Sequence, residues 1–380
     1  MQQKKAKLRV GILFGGKSGE HEVSVTSALS IFQALDKEKY EVTLVGIDKT
    51  GRWLLPEQAH VLAHQKNPRL LKLNEVRETV GFLPFPAEKN LVPFEGGKLN
   101  AGSASQFDVV FPVLHGTNGE DGTMQGLLEL ANVAYVGSGV LGSSVGMDKD
   151  VSKRLFRDAG IPVVPYLMLH RHEYRASQEM AIEEAQRKFG YPYFVKPANL
   201  GSSVGVGKVK NKTDAIAKIE DAFQYDTKIL IEQAIDAREL ECAVLGNHQP
   251  EASVVGEIIP LHEFYSYEAK YIDAQGADLR IPAENLSREI EERVRTLAVQ
   301  GFKALECSGL ARVDFFLDRK TGKIFLNEIN TIPGFTSISM YPKLWEATGM
   351  PYSKLLDRLI HLALERFEEK RGLKTTYESQ

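Results

Sequence analysis

The stretch LARVDFFLDRKTGKIFLNEIN, residues 310–330, has two apolar runs on either side of the polar segment DRKTG and therefore predicts a β-hairpin. An antiparallel register about this turn places Asp314 opposite Glu328. It also places Arg312 opposite Asn330, one cross-strand pair further on. Because side chains alternate between the two faces of a strand, all four are expected on the same face.

Two carboxylates that face each other across strands repel, so the pair Asp314 and Glu328 indicates a cation between them. A site made of oxygen ligands, without His or Cys, suits Mg²⁺, which proteins usually hold with carboxylates and substrate phosphates. A phosphate-handling enzyme is one interpretation. The other is an exposed hairpin whose arginine and acids neutralise one another, and the rest of the chain must decide between them.

Length and composition exclude several classes of protein. The chain has 380 residues, which suggests two or three domains, and its net charge of −3 gives no basic patch for nucleic acid or an anionic membrane. No apolar run approaches the roughly 20 residues of a membrane span. The opening MQQKKAKLRVGILFGG favours a first strand over a signal peptide. Cys242 and Cys307 lack a metal-ligand pattern, and we expect reduced thiols in a cytoplasmic protein.

The order of predicted elements divides the chain into three parts. Residues 1–147 alternate strands and helices, which is typical of an α/β domain with a parallel sheet, and contain an irregular insertion at about 55–105. Residues 148–240 predict an α+β unit with an antiparallel sheet. Residues 241–380 add further strands, a long helix, the hairpin and a C-terminal helix.

A glycine-rich segment, FVKPANLGSSVGVGKV at 194–209, is the candidate phosphate loop. Lys196 ends an apolar strand, and the loop with Ser202 and Ser203 offers backbone N–H groups to phosphate oxygens. The segment is not a Walker A motif, because no G-K-[ST] follows the glycines. An ordinary glycine-rich turn fits the local sequence equally well, but the length of the loop between two strands favours phosphate binding.

Carboxylates also surround a turn between two strands in ILIEQAIDARELECAVLG, at 229–246. Glu232, Glu239 and Glu241 are able to accept hydrogen bonds from an adenine amine or from ribose hydroxyls. Solvated surface acids would give the same pattern, so this interpretation depends on the neighbouring phosphate loop.

Two acid and histidine clusters follow predicted strands in the first part of the chain, where ligands of parallel sheets gather. Glu22 in HEVS is a candidate to hold an ammonium group. His115 in HGTNGEDG is a candidate to support a carboxylate or to orient Glu22. A structural histidine is the alternative.

Two later segments complete the candidate site. FYSYEAKY at 264–271 surrounds Lys270 with aromatic residues and predicts a closing loop that excludes water, although a core strand is the alternative. NTIPGFTSIS at 330–339 brings Gly334 and Ser339 after the hairpin, as donors to an oxyanion or a substrate carboxylate.

With these motifs the chain resembles the D-alanine–D-alanine ligases of the ATP-grasp superfamily, from Val10 to about Leu359. The matching blocks, in order, are GGKSGEHEVSVTSA, VFPVLHGTNGEDGTMQGLLE, YVGSGVLGSSVGMDKD, VKPANLGSSVGV, FYSYEAKY, ARVDFF and NEINTIPGFTSISMYP. The resemblance implies an N-terminal α/β substrate domain followed by a two-part ATP-grasp fold. It also implies a cytoplasmic homodimer that uses ATP and two Mg²⁺ ions, with Mn²⁺ able to substitute, to supply peptidoglycan precursor synthesis.

The resemblance further implies roles for individual residues. The ATP contacts would be Lys149, Lys196, Ser203, Glu232, Ile235, Glu239 and Lys270, and the Mg²⁺ ligands Asp314, Glu328 and Asn330. The catalytic set would be Glu22, Ser202, Tyr271, Arg312, Gly334 and Ser339, with Glu22, Ser202 and Tyr271 hydrogen-bonded together. The substrate contacts would be Glu22, His115, Lys270, Arg312, Ser339 and Met340.

The chemistry that this resemblance implies suits these residue types. An ionised carboxylate resists attack by an amine, so the first D-alanine would be activated as an acyl phosphate before the second D-alanine attacks it. The base that accepts the amine proton is left open among Ser202, Tyr271 and substrate phosphate. Tyr271 in the EAKY pattern favours a dipeptide over a D-lactate ester.

Three alternative functions are weighed against this one. A ligase with a different second substrate is the nearest of them. A catalytically silent nucleotide-binding protein is disfavoured because Lys196, Asp314 and Glu328 are all present. A dehydrogenase is disfavoured because GGKSGE lacks the G-x-G-x-x-G spacing.

Overall fold

The structure is a computed structural model that describes residues 6–54, 79–87, 90–95, 98–99, 105–260, 277–336 and 338–374. Within these ranges the strands form four sheets. None of the helices in the same ranges is long and apolar enough to span a bilayer.

The first sheet is parallel, as predicted, with the strand order β2-β1-β6-β7. Its strands are β1 (Leu8–Gly15), β2 (Tyr40–Ile47), β6 (Val109–Val113) and β7 (Ala134–Tyr135). Helices α1 (His21–Ala34) and α2 (Thr123–Leu130) make the crossovers. The loops after β1 and β6 therefore open at the same edge of the sheet, which is where ligands of such sheets bind.

A three-stranded antiparallel sheet, β3 (Thr79–Phe82), β4 (Leu91–Glu95) and β5 (Lys98–Leu99), lies within the predicted insertion. The prediction of an irregular segment is therefore wrong for these residues. The ring of Phe82 packs against Trp53 and Phe107 at 5.8 and 6.4 Å between ring centroids, and this contact joins the small sheet to the first domain.

The second large sheet is antiparallel, as predicted, with the order β10-β9-β11-β8. Its strands are β8 (Tyr166–His170), β9 (Tyr193–Pro197), β10 (Gly207–Val209) and β11 (Lys228–Gln233). Three helices share its apolar core, α5 (Arg171–Ala176), α6 (Gln178–Phe189) and α7 (Lys212–Tyr225). Helices α3 (Val140–Met147) and α4 (Lys149–Asp158) precede this unit.

The third large sheet has the order β14-β13-β12-β15-β16 and carries the hairpin. Its strands are β12 (Ala237–Gly246), β13 (Glu251–Pro260), β14 (Ala277–Arg280), β15 (Gly309–Asp318) and β16 (Ile324–Asn330). The predicted register is confirmed, with Asp314 opposite Glu328 and Arg312 opposite Asn330. An irregularity follows Asp314, so that Phe315 pairs with Leu326 nearer the turn.

Helices cover both faces of this sheet. Helix α8 (Arg288–Ala304) shares one core with it, while α9 (Met340–Ala347) shares another. The last helix, α10 (Tyr352–Arg371), belongs to the same core as β1 and β6 of the first sheet. The end of the chain therefore packs against its beginning. The predicted domain limits remain predictions.

Candidate active site

Three carboxylates lie in one row across the third sheet. Glu241 on β12 is opposite Asp314 on β15, which is opposite Glu328 on β16. Arg312 donates two hydrogen bonds to Asp314, from Nε at 2.8 Å and from Nη2 at 2.7 Å, and its Nε also lies 3.0 Å from Glu241 Oε2. The amide Nδ2 of Asn330 donates to Asp314 Oδ2 at 3.0 Å. The first two acids of the row are thus held by one guanidinium.

Glu328, the third acid of the row, has a different cation. Lys149 Nζ lies 3.4 Å from Glu328 Oε2 and donates a hydrogen bond to the carbonyl of Leu200 at 2.6 Å. Lys149 is placed by the start of α4, where Asp148 Oδ1 accepts hydrogen bonds from the backbone N–H groups of Asp150 and Val151. Two protein cations therefore offset part of the negative charge of the row, so the facing of Asp314 and Glu328 does not by itself require a metal ion.

The glycine-rich loop between β9 and β10 is anchored at its base and strained at its tip. Asn199 donates to Asp226 Oδ2 from its backbone N at 2.8 Å and from Nδ2 at 3.0 Å. Ser202 and Ser203 adopt left-handed backbone conformations, with φ of 52° and 59°. Such conformations are uncommon for residues other than glycine and persist where the surrounding structure holds them.

At the end of β9 where this loop begins, Lys196 contacts Glu232, one of the predicted adenosine residues. Its Nζ lies 2.5 Å from Glu232 Oε2 and donates to Asn327 Oδ1 at 3.3 Å. Lys153 Nζ lies 2.9 Å from the other oxygen of Glu232. Burial favours a higher pKa for Glu232, but the charges of Lys153 and Lys196 outweigh burial and lower the pKa below its ordinary value. The carboxylate is therefore ionised.

Ile235 lies half-buried in the connection from β11 to β12, and Glu239 lies half-buried near the start of β12. Lys153 was missed by the sequence analysis. It lies one turn after Lys149 in a helix rich in charges, and its position there resembles a solvated face.

The predicted hydrogen bond between Ser202 and Glu22 is wrong. Ser202 Oγ donates instead to Glu20 Oε1, while Glu22 pairs with Lys49 at 2.5 Å. Glu20 occupies the position just before the first residue of α1, and Glu22 lies inside the helix. Residues two apart on a helix point in different directions, so only one of the two acids is able to face Ser202.

His115 is buried and ties the end of β6 to the loop after β16. Its Nδ1 lies 2.8 Å from the Ile332 carbonyl and its Nε2 lies 3.4 Å from Ser27 Oγ. Burial lowers the pKa of His115, so the imidazole is neutral. Because a carbonyl only accepts, Nδ1 carries the proton and Nε2 accepts from Ser27.

Glu120, in the same motif as His115, was not singled out from the sequence. It accepts hydrogen bonds from Gly116 N at 2.6 Å and from Ile332 N at 3.2 Å. Burial, reinforced by the charge of Glu20, raises its pKa to about 8. The ionised Glu20 therefore makes it harder for Glu120 to lose its proton.

The loop after β16 brings Gly334 and Ser339 together. A Cβ atom built on Gly334 would lie 2.8 Å from Ser339 Oγ, which explains a glycine there. Ser339 Oγ accepts a hydrogen bond from Thr336 N at 3.0 Å. The side chain of Met340 is 5% exposed and packs in the core shared by the first and third sheets. Lys270 and Tyr271 lie outside the described residues.

Comparisons with known proteins identify the family of the chain. The family model described as "D-ala D-ala ligase N-terminus" matches residues 9–138, and "D-ala D-ala ligase C-terminus" matches residues 155–361. A D-alanine–D-alanine ligase of Shouchella clausii is 51% identical over 98% of both chains. D-alanine–D-alanine ligase A of Escherichia coli is 47% identical over 97% of this chain and 99% of that protein.

Two solved structures have similar folds. The D-alanine–D-alanine ligase from Coxiella burnetii has a TM-score of 0.82 at 40% identity, over 96% of both chains. The VanG D-Ala:D-Ser ligase from Enterococcus faecalis has a TM-score of 0.80 at 36% identity, over 94% of this chain and 100% of that chain. The chain therefore belongs to the D-alanine–D-alanine ligase family of ATP-dependent enzymes.

Proposed function

We propose that the protein joins two D-alanine molecules to D-alanyl-D-alanine, with ATP converted to ADP and phosphate through an acyl phosphate of the first D-alanine. The observation that carries this proposal is the contact between Glu20 and Ser202, which joins the amino-acid side of the cleft to the phosphate loop. The product of such a reaction is a precursor for peptidoglycan synthesis.

ATP binds between the second and third sheets. Lys149 and Lys196, with the loop around Ser203, supply positive charge and N–H donors for the phosphates. The ionised Glu232, together with Ile235 and Glu239, holds the adenosine in this proposal, and the lowered pKa of Glu232 supports its role as a hydrogen-bond acceptor. By family resemblance, Lys270 is a further contact to ATP.

The donor set of the carboxylate row fits Mg²⁺. No group of three or more His, Cys, Asp or Glu side chains within the described ranges is suited to hold a metal, so phosphate oxygens must complete the coordination. Asn330 donates through Nδ2 to Asp314, which leaves its Oδ1 for a cation. Asp314, Glu328 and Asn330 would hold the ions, two in number, and Mn²⁺ would be able to replace Mg²⁺. Bound metal would neutralise phosphate charge during phosphoryl transfer.

The amino acids bind on the side of the cleft that faces the first sheet. Glu20, rather than Glu22, holds the ammonium group of the first D-alanine, because it is the acid that faces Ser202. The neutral His115 keeps the loop after β16 in place beside it. Arg312 and the backbone N–H of Gly334 stabilise the oxyanion that forms on attack, and Ser339 receives the second D-alanine.

The amine of the second D-alanine must lose a proton before or during its attack on the acyl phosphate. Ser202 is already hydrogen-bonded to Glu20, so a proton taken up by its hydroxyl group has a carboxylate to move to. The transferred phosphate and Tyr271 are the other candidates.

We also infer that the protein acts in the cytoplasm as a homodimer that associates through its N-terminal region. Cys242 and Cys307 are both buried free thiols, as a reducing compartment allows. Sedimentation equilibrium tests the dimer, and a monomer at all concentrations would contradict it.

The test of the reaction is phosphate release on mixing the protein with ATP, Mg²⁺ and D-alanine. We expect release with D-alanine and none with L-alanine, and an equal response to both would overturn the proposal. D-serine and D-lactate, supplied in competition with D-alanine, distinguish a different second substrate. If the protein prefers one of these compounds as its second substrate, the condensed product contains that compound in place of the second D-alanine.

A further inference from the structure

Lys153 is a buried cation for which the proposed reaction has no direct use. Its side chain is 0% exposed, so it does not face the cleft where ATP and the amino acids bind. Burying an ammonium group is costly unless it is paired, and an apolar side chain of similar size fills such a space without that cost. The presence of a lysine at this buried position is therefore to be explained by its positive charge.

The charge of Lys153 is directed at Glu232. Its Nζ lies 2.9 Å from Glu232 Oε1 and 5.9 Å from the centroid of the Tyr166 ring, which favours a cation. Burial lowers the pKa of Lys153 and the charge of Glu232 opposes this effect; the other charged groups that act on it are Lys196 and, more weakly, Glu328. Glu232 is thus the one carboxylate close enough to be its counterion within the described part of the chain.

Lys196 shares this carboxylate but differs from Lys153 in its surroundings. It lies 2.5 Å from Glu232 Oε2, and its side chain is 10% exposed at the base of the phosphate loop. Two ammonium groups on one carboxylate leave a surplus positive charge in a poorly solvated place. A phosphate anion that enters the site attracts this surplus positive charge. Of the two lysines, Lys196 is the one that is partly exposed and able to reach it.

We propose that Lys153 is a positioning residue for ATP binding, which keeps Glu232 neutralised so that Lys196 is free to turn from Glu232 to an ATP phosphate. This inference rests on the proposed function. Without Lys153, Lys196 is the sole close counterion of a buried carboxylate, and a phosphate has to compete with Glu232 for it. ATP binding then becomes weaker, although Lys153 touches no atom of ATP.

The test is the dissociation constant of ATP with Mg²⁺, measured by isothermal titration calorimetry on the full chain without D-alanine. For Lys153→Met we expect about tenfold weaker binding or more, because the remaining ion pair must break. The KM for ATP rises in parallel, whereas kcat at saturating ATP and the KM values for D-alanine change less than about twofold. Arg154→Met, an exposed neighbour on the same helix, is the matched control and binds ATP normally.

A double-mutant cycle separates positioning from a general structural role. In a Glu232→Gln background no carboxylate holds Lys196, so adding Lys153→Met should leave ATP affinity unchanged within about twofold. Weakening by the same factor in both backgrounds would overturn the proposal. If Lys153→Met does not fold, Lys153→Gln replaces it, and the same loss of ATP affinity is expected. Normal ATP binding by either variant would also overturn the proposal.

The outcomes distinguish this inference from the function beneath it. Wild-type protein that binds no ATP overturns both. Wild-type protein that binds ATP and releases phosphate with D-alanine, beside a Lys153→Met variant of equal affinity, overturns only the role of Lys153.

Discussion

Ser202 and Glu20 are 182 residues apart in the chain, yet the hydroxyl of one donates a hydrogen bond to the carboxylate of the other. Ser202 belongs to the phosphate loop of the second sheet, and Glu20 to the loop after the first strand. Their contact closes one side of the cleft before any ligand enters. A ligand held by Glu20 is therefore next to the glycine-rich loop, as the proposed reaction requires.

Replacement of Glu20 tests which acid holds the amino acid. Glu20→Gln should lower kcat/KM for D-alanine by about 10- to 100-fold, since a hydrogen bond to a charged group contributes roughly 1.5–3 kcal/mol. Glu22→Gln is the matched control, and its exposed ion pair with Lys49 predicts less than about a twofold change. Steady-state rates at varied D-alanine decide between them. A larger loss in Glu22→Gln would reverse the assignment.

Replacement of Asp314 tests the carboxylate row. Asp314→Asn should lower turnover by about 100-fold and raise the Mg²⁺ concentration for half-maximal activity by about tenfold, because one charged oxygen ligand is lost. Asp318→Asn, at the turn of the same hairpin, is the control. Its side chain accepts hydrogen bonds from Lys320 N and Thr321 N within the turn itself. An unchanged Mg²⁺ requirement in Asp314→Asn would argue against the metal assignment.

Glu120 should make stability depend on pH. Its pKa is raised from 4.5 to about 8 in the folded protein, so the folded state keeps a proton that the unfolded state has lost. Stability from this group is therefore greatest below pH 4.5 and falls as the pH rises towards 8, by on the order of a few kcal/mol.

Glu120→Gln removes this dependence, since glutamine does not titrate. Denaturant unfolding at several pH values between 5 and 8 should show the variant gaining stability relative to wild type as the pH rises. A constant offset, from the altered hydrogen bonds to Gly116 and Ile332, does not affect this slope. Glu292→Gln, an exposed acid on α8, should follow the wild-type curve, and a Glu120→Gln curve parallel to wild type would contradict the raised pKa.

Arg366 should stabilise the contact between the last helix and the first sheet. Its guanidinium donates to the carbonyls of Gly137 and Tyr135, and its Cζ lies 4.4 Å from the centroid of the Tyr135 ring. Arg366→Met should cost about 2–3 kcal/mol of unfolding free energy, because two carbonyls lose their donor. Arg371→Met, exposed on the same helix, should cost less than about 0.5 kcal/mol in the same denaturant titration. Equal losses would argue against this contact.

The sequence predicted what depends on local pattern. The register of the hairpin follows from alternation, and it holds at Arg312 and Asp314 although an irregularity shifts the pairing beyond them. The parallel first sheet and the antiparallel second sheet follow from the order of strands and helices. These features are set by neighbours in the chain, so a single sequence contains them.

Features set by distant neighbours were missed. Glu20 and Glu22 are equivalent as residue types, and only the start of α1 determines which of them faces Ser202. Lys153 resembled a solvated lysine because its partner, Glu232, comes much later in the chain. The strands β3 to β5 are short, and their packing on Phe107 carries no periodic signal.

The position of α10 has a consequence for synthesis on the ribosome. The strands of the first sheet leave the ribosome long before Leu355, Leu359 and Leu362, which share their core, have been translated. Until then the apolar face that α10 covers is exposed on the nascent chain. Folding of the first domain is completed only when the last helix is released, so a chain truncated before α10 should lose its N-terminal domain as well as its C-terminal end.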